Sequence, residues 1–69
     1  MITELALRKY IAQARPLAIH LSNGRDLEVS HRDRISIQPG GTRFLLWLND
    51  GGFEIFKLSM VTHVQFAPL

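Results

Sequence analysis

The chain has 69 residues, of which 46% are hydrophobic and 20% charged, and it contains no cysteine. It is long enough for one small domain, residues 1–69, and this composition excludes a disordered tail, disulfides and thiolate zinc sites. The net charge of +2 comes from residues 1–15, which hold three basic residues against one acidic, and this surplus is weaker than the clustered basic stripe of a dedicated nucleic-acid binder.

An amphipathic helix is predicted at the N-terminal end. Thr3 is a suitable N-cap, and Leu7, Ile11 and Ala14 recur at the i, i+4, i+7 spacing of one helical face. Because a proline restricts the residue before it to extended backbone, Pro16 ends the helix by residue 15. The first element is therefore a single helix with one apolar face.

A β-hairpin is predicted next, because apolar and polar residues alternate from Leu17 onward, on both sides of Asn23-Gly24. A two-residue loop would place acidic residues on the apolar face. A three-residue loop at 22–24, with Gly24 in the left-handed position, keeps the apolar residues opposite one another. The expected register pairs Leu17 with Val29, Ile19 with Leu27 and His20 with Asp26.

The remaining alternating segments predict further antiparallel strands separated by glycine-rich turns. We interpret residues 26–38 as one strand bent at 31–33, with two separate strands as the alternative. The later strands are expected at 43–48, 53–58 and 62–66.

These elements predict a mainly β fold in which an N-terminal helix is followed by a five-stranded, strongly bent antiparallel barrel of the SH3 type. The chain is too short for a two-sheet sandwich, so the helix is expected to act as a lid on the barrel. Barrel closure requires the first and last strands to pair, which would bring His20 close to His63 on the outside.

Two segments resemble the Sm-like family, in particular its bacterial Hfq branch. At 16–27 the run Pro-Leu-Ala-Ile-His-Leu-Ser-Asn-Gly-Arg-Asp-Leu follows a helix, as it does in that family. At 56–64 the run Phe-Lys-Leu-Ser-Met-Val-Thr-His-Val is similar to the family's last two strands and the tight turn between them. The resemblance implies an Sm-like small β-barrel that binds RNA, with Lys57 near the base pocket and Phe56 beside it as a stacking side chain.

Nearly the whole chain also resembles short uncharacterised bacterial proteins of similar length. The shared features are Arg15-Pro16, Gly24-Arg25, Val29-Ser30-His31 and Pro68-Leu69. This second resemblance supports a single folding unit and implies no particular activity.

No catalytic, metal or cofactor site is predicted. His20, His31 and His63 are the candidates for proton transfer or metal binding, but their spacing matches no metal motif. The serines have no nucleophile motif around them, and the paired glycines precede strands instead of phosphate-binding helices. We therefore expect no enzyme, no cofactor and no small-molecule substrate.

The segment 44–48 is apolar on both faces, although an antiparallel strand with one wet face should alternate. Three explanations remain open: the helix covers the second face, another copy of the chain covers it, or Trp47 is a base-stacking platform near Arg43 or Lys57. The expected homo-oligomer interface consists of Phe44, Leu46, Trp47, Phe53 and Ile55.

The same segment is the longest apolar run, and its five residues are far fewer than the roughly 20 needed to cross a bilayer. The N-terminal residues place an acid before the bases and contain no continuous apolar region, unlike a secretory signal. We therefore expect a cytoplasmic protein with no membrane partner.

The predicted function is that of a self-associating, non-enzymatic binding module. RNA or another single-stranded nucleic acid is the first candidate ligand. Its expected contacts are Arg8, Lys9, Arg15, Phe56 and Lys57. The alternative is a protein-interaction or scaffold domain that uses its strand edges, which fits the neutral charge balance of residues 16–69 better.

Overall fold

The computed structural model describes residues 2–67, which form one α-helix and six strands. In chain order these are α1 (Glu4–Ala12), β1 (Leu17–Leu21), β2 (Asp26–Val29), β3 (Ile35–Ile37), β4 (Arg43–Trp47), β5 (Phe53–Lys57) and β6 (Val61–Phe66). The predicted mainly β class with an N-terminal helix is confirmed. Pro68-Leu69, part of the second resemblance, lie outside the described residues.

Helix α1 begins where the sequence predicts and ends earlier. The Thr3 hydroxyl accepts a hydrogen bond from the Ala6 backbone N–H at 3.1 Å, so Thr3 is the N-cap. The predicted continuation through Ala14 is wrong, because Ala14 has a φ of 56° and turns the chain toward β1. Leu7 is fully buried in the core, so α1 covers the strands as the expected lid.

The first hairpin has the predicted register. Leu17 lies opposite Val29, Ile19 opposite Leu27 and His20 opposite Asp26. Gly24 has a φ of 88°, the left-handed conformation expected of the last residue in a three-residue loop. The apolar residues of this pairing are all buried, so burial of one face selects the register.

The six strands form two three-stranded antiparallel sheets. Sheet A has the order β2-β1-β6 and sheet B the order β3-β4-β5. The predicted single five-stranded barrel is not confirmed, since no strand ladder joins the two sheets within residues 2–67. The break is a 3₁₀ turn at Arg32–Arg34, where His31 Nδ1 accepts a hydrogen bond from the Asp33 N–H at 3.3 Å. Residues 26–38 are therefore two strands, the alternative to one bent strand.

The first and last strands pair as predicted: β1 pairs with β6, which places His20 opposite His63. A salt bridge links the turn between β1 and β2 to β5 of sheet B: the Arg25 guanidinium donates to both carboxylate oxygens of Glu54, at 3.0 and 3.1 Å. No helix within residues 2–67 has the length and apolar character needed to cross a membrane. The buried core consists of Leu7, Leu17, Ile19, Leu21, Leu27, Val29, Ile35, Phe44, Leu46, Phe56, Leu58 and Val61.

Candidate nucleic-acid interface on sheet B

The outer face of sheet B carries an apolar surface that no other part of the described chain covers. Leu45 lies opposite Ile55, and Trp47 lies opposite Phe53, so these four side chains share one face of β4 and β5. Trp47 is 46% exposed, Phe53 54% and Ile55 48%. We call these four residues the apolar platform. The explanation in which α1 covers this face is wrong, because α1 packs on the core side through Leu7.

Two aromatic rings form one half of the apolar platform. The ring centroids of Trp47 and Phe53 are 5.3 Å apart with an interplanar angle of 62°, an edge-to-face contact that holds both rings in place. Both rings remain half exposed despite this contact. Exposed, preorganised aromatic rings on a sheet surface are suitable for stacking with planar ligands such as nucleobases.

A pair of cations borders the apolar platform. Arg43 lies directly opposite Lys57 on the same face, and both side chains are exposed. Neither forms a salt bridge with any of residues 2–67. Like charges in directly opposed positions repel each other, so an anion bound between them would relieve this repulsion.

An open pocket of about 580 Å³ adjoins the two cations. Arg43 and Lys57 line it together with the hydroxyl-bearing Thr42 and Ser59, and Ile2 from the segment before α1 closes one side. Cations and hydroxyl groups around an apolar wall are the groups that contact the phosphate and sugar of a nucleotide. The cation pair is therefore shared: it lies on the same face as the apolar platform and also lines the pocket.

Three residues that the sequence assigned to surface sites belong to the core. Phe56 is only 7% exposed and stacks on Phe44 with ring centroids 5.3 Å apart, so it is not accessible for stacking with a base. Phe44 and Leu46, assigned to the oligomer interface, are 0% and 3% exposed. The reason is the two-residue period of a strand, which turns these side chains inward and Trp47 and Ile55 outward.

The predicted basic residues of α1 and of the segment after it make their contacts away from the apolar platform. Arg8 is held by Glu4, with its Nε 2.8 Å from a carboxylate oxygen. The guanidinium of Arg15 lies 4.2 Å from the centroid of the Phe66 ring, and Lys9 borders a small surface pocket with Phe66. The structure therefore brings only Lys57, among the predicted nucleic-acid contacts, to the outer face of sheet B.

Several residues of this surface were missing from the predicted site. Arg43 was named only as a cation near Trp47, and Leu45 was not assigned; both could have been placed on this face by extending the β4–β5 pairing outward from the turn at 49–52. Ile2, Thr42 and Ser59 come together only through tertiary structure, since they belong to three separate segments of the chain.

The histidines form a separate polar cluster on the outer face of sheet A. His20 contacts the Asp26 carboxylate through Nδ1 at 2.5 Å and the Gln65 amide oxygen through Nε2 at 2.8 Å. The hydrogen bond with Asp26 is the main cause of a raised pKa for His20. No group of three metal-ligating side chains occurs in the part of the chain that the structure describes.

Comparisons of this chain with models of protein families, with curated proteins and with solved structures found no match.

Proposed function

We propose that this chain is a non-enzymatic domain that binds single-stranded nucleic acid, RNA in particular, on the outer face of sheet B. The observation that carries the proposal is the presence of Trp47 and Phe53, both half exposed, on the same face as Arg43 and Lys57. Proteins that bind single-stranded nucleic acid with little sequence preference use aromatic rings to stack on the bases and cations to contact the phosphate backbone.

Each part of the surface has a separate role in this proposal. Bases stack on the rings of Trp47 and Phe53, and backbone phosphates contact the Arg43 and Lys57 side chains. Along β4 the distance from residue 43 to residue 47 is roughly 13 Å at about 3.3 Å per residue, so a short oligonucleotide contacts both ends. Arg8, Lys9 and Arg15 contribute long-range attraction to the polyanion.

We propose further that the two sheets are the halves of an Sm-like small barrel of the SH3 type. The strand order supports this, because β6-β1-β2 continues through one turn into β3-β4-β5. The pairing of β1 with β6 and the position of α1 over the core support it as well. A cytoplasmic location is part of the same proposal.

The first experiment uses Trp47 itself as the probe, since it is the single tryptophan of the chain. A single-stranded RNA of about 12 nucleotides is titrated into the protein at about 50 and 200 mM salt while tryptophan fluorescence is recorded. Stacking is expected to quench the fluorescence, and the affinity is expected to fall at higher salt. Absence of salt-dependent quenching at high micromolar RNA would contradict the proposal.

Variants of the same surface make the experiment specific, with a labelled RNA as the reporter. Trp47→Ala is expected to weaken binding roughly 5- to 150-fold, the equivalent of about 1–3 kcal/mol per stacked base. Arg43→Ala and Lys57→Ala should each reduce the slope of log affinity against log salt by about 0.7. The controls are Leu5→Ala, which removes an exposed apolar side chain from α1, and Arg32→Ala, which removes a charge away from the apolar platform.

A second candidate function is a protein-interaction or scaffold domain. The observation that favours it is the aliphatic half of the apolar platform, since Leu45 and Ile55 have no planar face for a base. In that case the Trp47→Ala and Leu45→Ser variants lose binding to a protein ligand, and RNA causes no quenching. The fluorescence titration therefore distinguishes the two functions.

A further inference from the structure

Strand β5 is an edge strand of sheet B. Each of its backbone N–H and C=O groups points either toward β4 or toward the free edge. The Leu48 N–H donates to the Gly52 carbonyl at 2.7 Å, and the Leu58 N–H donates to the Thr42 carbonyl at 2.9 Å. Because backbone groups alternate in direction along an antiparallel strand, even-numbered residues of β5 bond to β4 and odd-numbered residues point away from it. The free edge is therefore formed by the N–H and C=O groups of Phe53, Ile55 and Lys57.

The residues of this free edge also carry the outward-facing side chains of β5. Phe53 and Ile55 belong to the apolar platform, and Lys57 is exposed beside it. Backbone groups that have no partner among residues 2–67 and exposed apolar side chains thus lie on the same residues. An exposed edge of this kind is a template for pairing with another strand.

The other edges of the two sheets do not match β5. By the same alternation, the free edge of β3 presents Ile35 and Ile37, whose side chains face inward with the core. The free edge of β6 likewise presents the inward-facing Val64. Residues directly opposite each other in an antiparallel pair have their side chains on the same face of the sheet. If β5 paired with β3 or β6 of another copy, its outward-facing side chains would therefore lie beside the core-facing side chains of that copy. The edge of β2 presents outward-facing residues, but these are the acids Asp26 and Glu28, whose charges would lose water against the apolar Phe53 and Ile55.

We propose that β5 pairs antiparallel with β5 of a second copy of this chain, about a two-fold axis at Ile55. In this register Ile55 lies opposite Ile55 of the second copy, and Phe53 lies opposite Lys57. The odd-numbered residues of both strands then exchange backbone hydrogen bonds, and sheet B becomes a continuous six-stranded sheet.

The side chains on both faces of this pairing are complementary. On the outer face the two apolar platforms join, and each Lys57 ammonium is placed beside a Phe53 ring, a cation–π arrangement. On the inner face Glu54 comes to lie opposite Phe56 of the second copy. The Arg25 guanidinium is 5.4 Å from the centroid of that Phe56 ring, so each Glu54 carboxylate approaches a second cation.

A second copy also explains how so small a domain gains stability. A chain of this size without cysteine has little core and no covalent cross-links, and association is a common remedy. The pairing does not depend on nucleic-acid binding. It would place two Trp47–Phe53 pairs on one surface, so a longer RNA contacts both copies.

Cysteine cross-linking tests the register directly, because the chain has no cysteine of its own. At the two-fold axis a hydrogen-bonded pair has Cα atoms about 5.5 Å apart, within disulfide range. Ile55→Cys is therefore expected to form a covalent dimer rapidly in a glutathione redox buffer. Phe53→Cys alone should not, since its copies are roughly 13 Å apart, but a mixture with Lys57→Cys should cross-link.

The control for random collision is Leu5→Cys, at an exposed position on α1. Cross-linking of Ile55→Cys no faster than that of Leu5→Cys would overturn the proposal. Preferential cross-linking of Ile55→Cys with His63→Cys would also overturn it, because β5 would then pair with β6 of another copy.

A charged residue at the two-fold axis tests the same β5–β5 interface without a disulfide. Ile55→Lys opposes two like charges and should raise the dissociation constant of the dimer at least about tenfold, measured by light scattering after size-exclusion chromatography. Arg32→Lys, which keeps its charge and lies away from β5, should leave it unchanged. A wild-type chain that remains a monomer at near-millimolar concentration would overturn the proposal. Because Ile55→Lys also adds a charge to the proposed RNA-binding face, nucleic-acid binding is tested separately, by the Trp47 fluorescence titration of the wild type at protein concentrations below the dissociation constant of the dimer.

Discussion

The imidazole rings of His20 and His63 are stacked, with centroids 4.1 Å apart and an interplanar angle of 17°. Each nitrogen of the His20 ring faces an oxygen acceptor, one from Asp26 and one from Gln65. An imidazole donates from both nitrogens only when it is protonated. The cationic form of His20 therefore links all three strands of sheet A: Asp26 on β2, His20 on β1 and Gln65 on β6.

This arrangement predicts that the protein is more stable in mildly acidic solution than in mildly basic solution. The pKa of His20 is raised from 6.5 in the folded state, chiefly by the hydrogen bond with Asp26. The stabilisation is complete below the pKa of the unfolded state and is lost as pH rises through the higher folded pKa. The melting temperature, followed by circular dichroism, should therefore fall between about pH 6 and 8.5.

Two variants identify the source of this pH dependence. Asp26→Asn removes the carboxylate and should flatten the change in melting temperature. His31→Gln removes a histidine in the turn between β2 and β3 and should leave the change in place. An unaltered pH profile in Asp26→Asn would contradict the assignment to His20.

The salt bridge between Arg25 and Glu54 predicts that the stability of the protein also falls in acidic solution. The hydrogen bonds from Arg25 lower the pKa of Glu54 from 4.5. A lowered folded pKa gives stabilisation that is present above the unfolded value and is lost as pH falls through the folded pKa. Urea midpoints of the wild type should drop more steeply between about pH 5 and 3 than those of Glu54→Gln. Glu28→Gln, at an exposed acid of β2, should resemble the wild type.

Phe44 and Phe53 lie on opposite faces of sheet B, so replacing them with alanine should cost very different amounts of stability. Phe44 is fully buried, and Phe44→Ala should cost about 3–5 kcal/mol, a large part of the stability of a small domain. Phe53 is 54% exposed, and Phe53→Ala should cost less than about 1 kcal/mol. Urea denaturation measures both. Equal losses would contradict the assignment of Phe44 to the core and Phe53 to the surface.

Gly41 is predicted to tolerate a side chain less well than Gly24. Both have a positive φ, 72° and 88°, and an alanine in this region costs about 1–2 kcal/mol. A Cβ at Gly41 would also require the Glu4 side chain, which holds Arg8, to move, whereas a Cβ at Gly24 meets no atom within 4 Å. Gly41→Ala should therefore destabilise the protein more than Gly24→Ala in thermal or urea unfolding.

Much of the fold could be predicted from the sequence where the determining interactions are local. The Thr3 cap and the hairpin register follow from the order of a few neighbouring residues. The pairing of β1 with β6 followed from the need to cover strand edges. The break between β2 and β3 was left open, because a bent strand and two strands have the same alternating pattern.

The candidate site was only partly predictable, for a reason that segment 44–48 illustrates. Alternation normally indicates which residues face inward, but a run that is apolar at every position contains no such signal. Phe44 and Leu46 were therefore grouped with Trp47, although they face the opposite side of β4.

The sequence by itself determined the start of the helix, the turn and register of the first hairpin and the pairing of the first and last strands, since backbone preferences and two-residue periodicity act over short distances. Only the tertiary structure decided which face of β4 and β5 meets the core. That choice depends on where Leu7 and the strands of sheet A pack, and it leaves Trp47 half exposed, on the same face as two cations that form no salt bridge within residues 2–67.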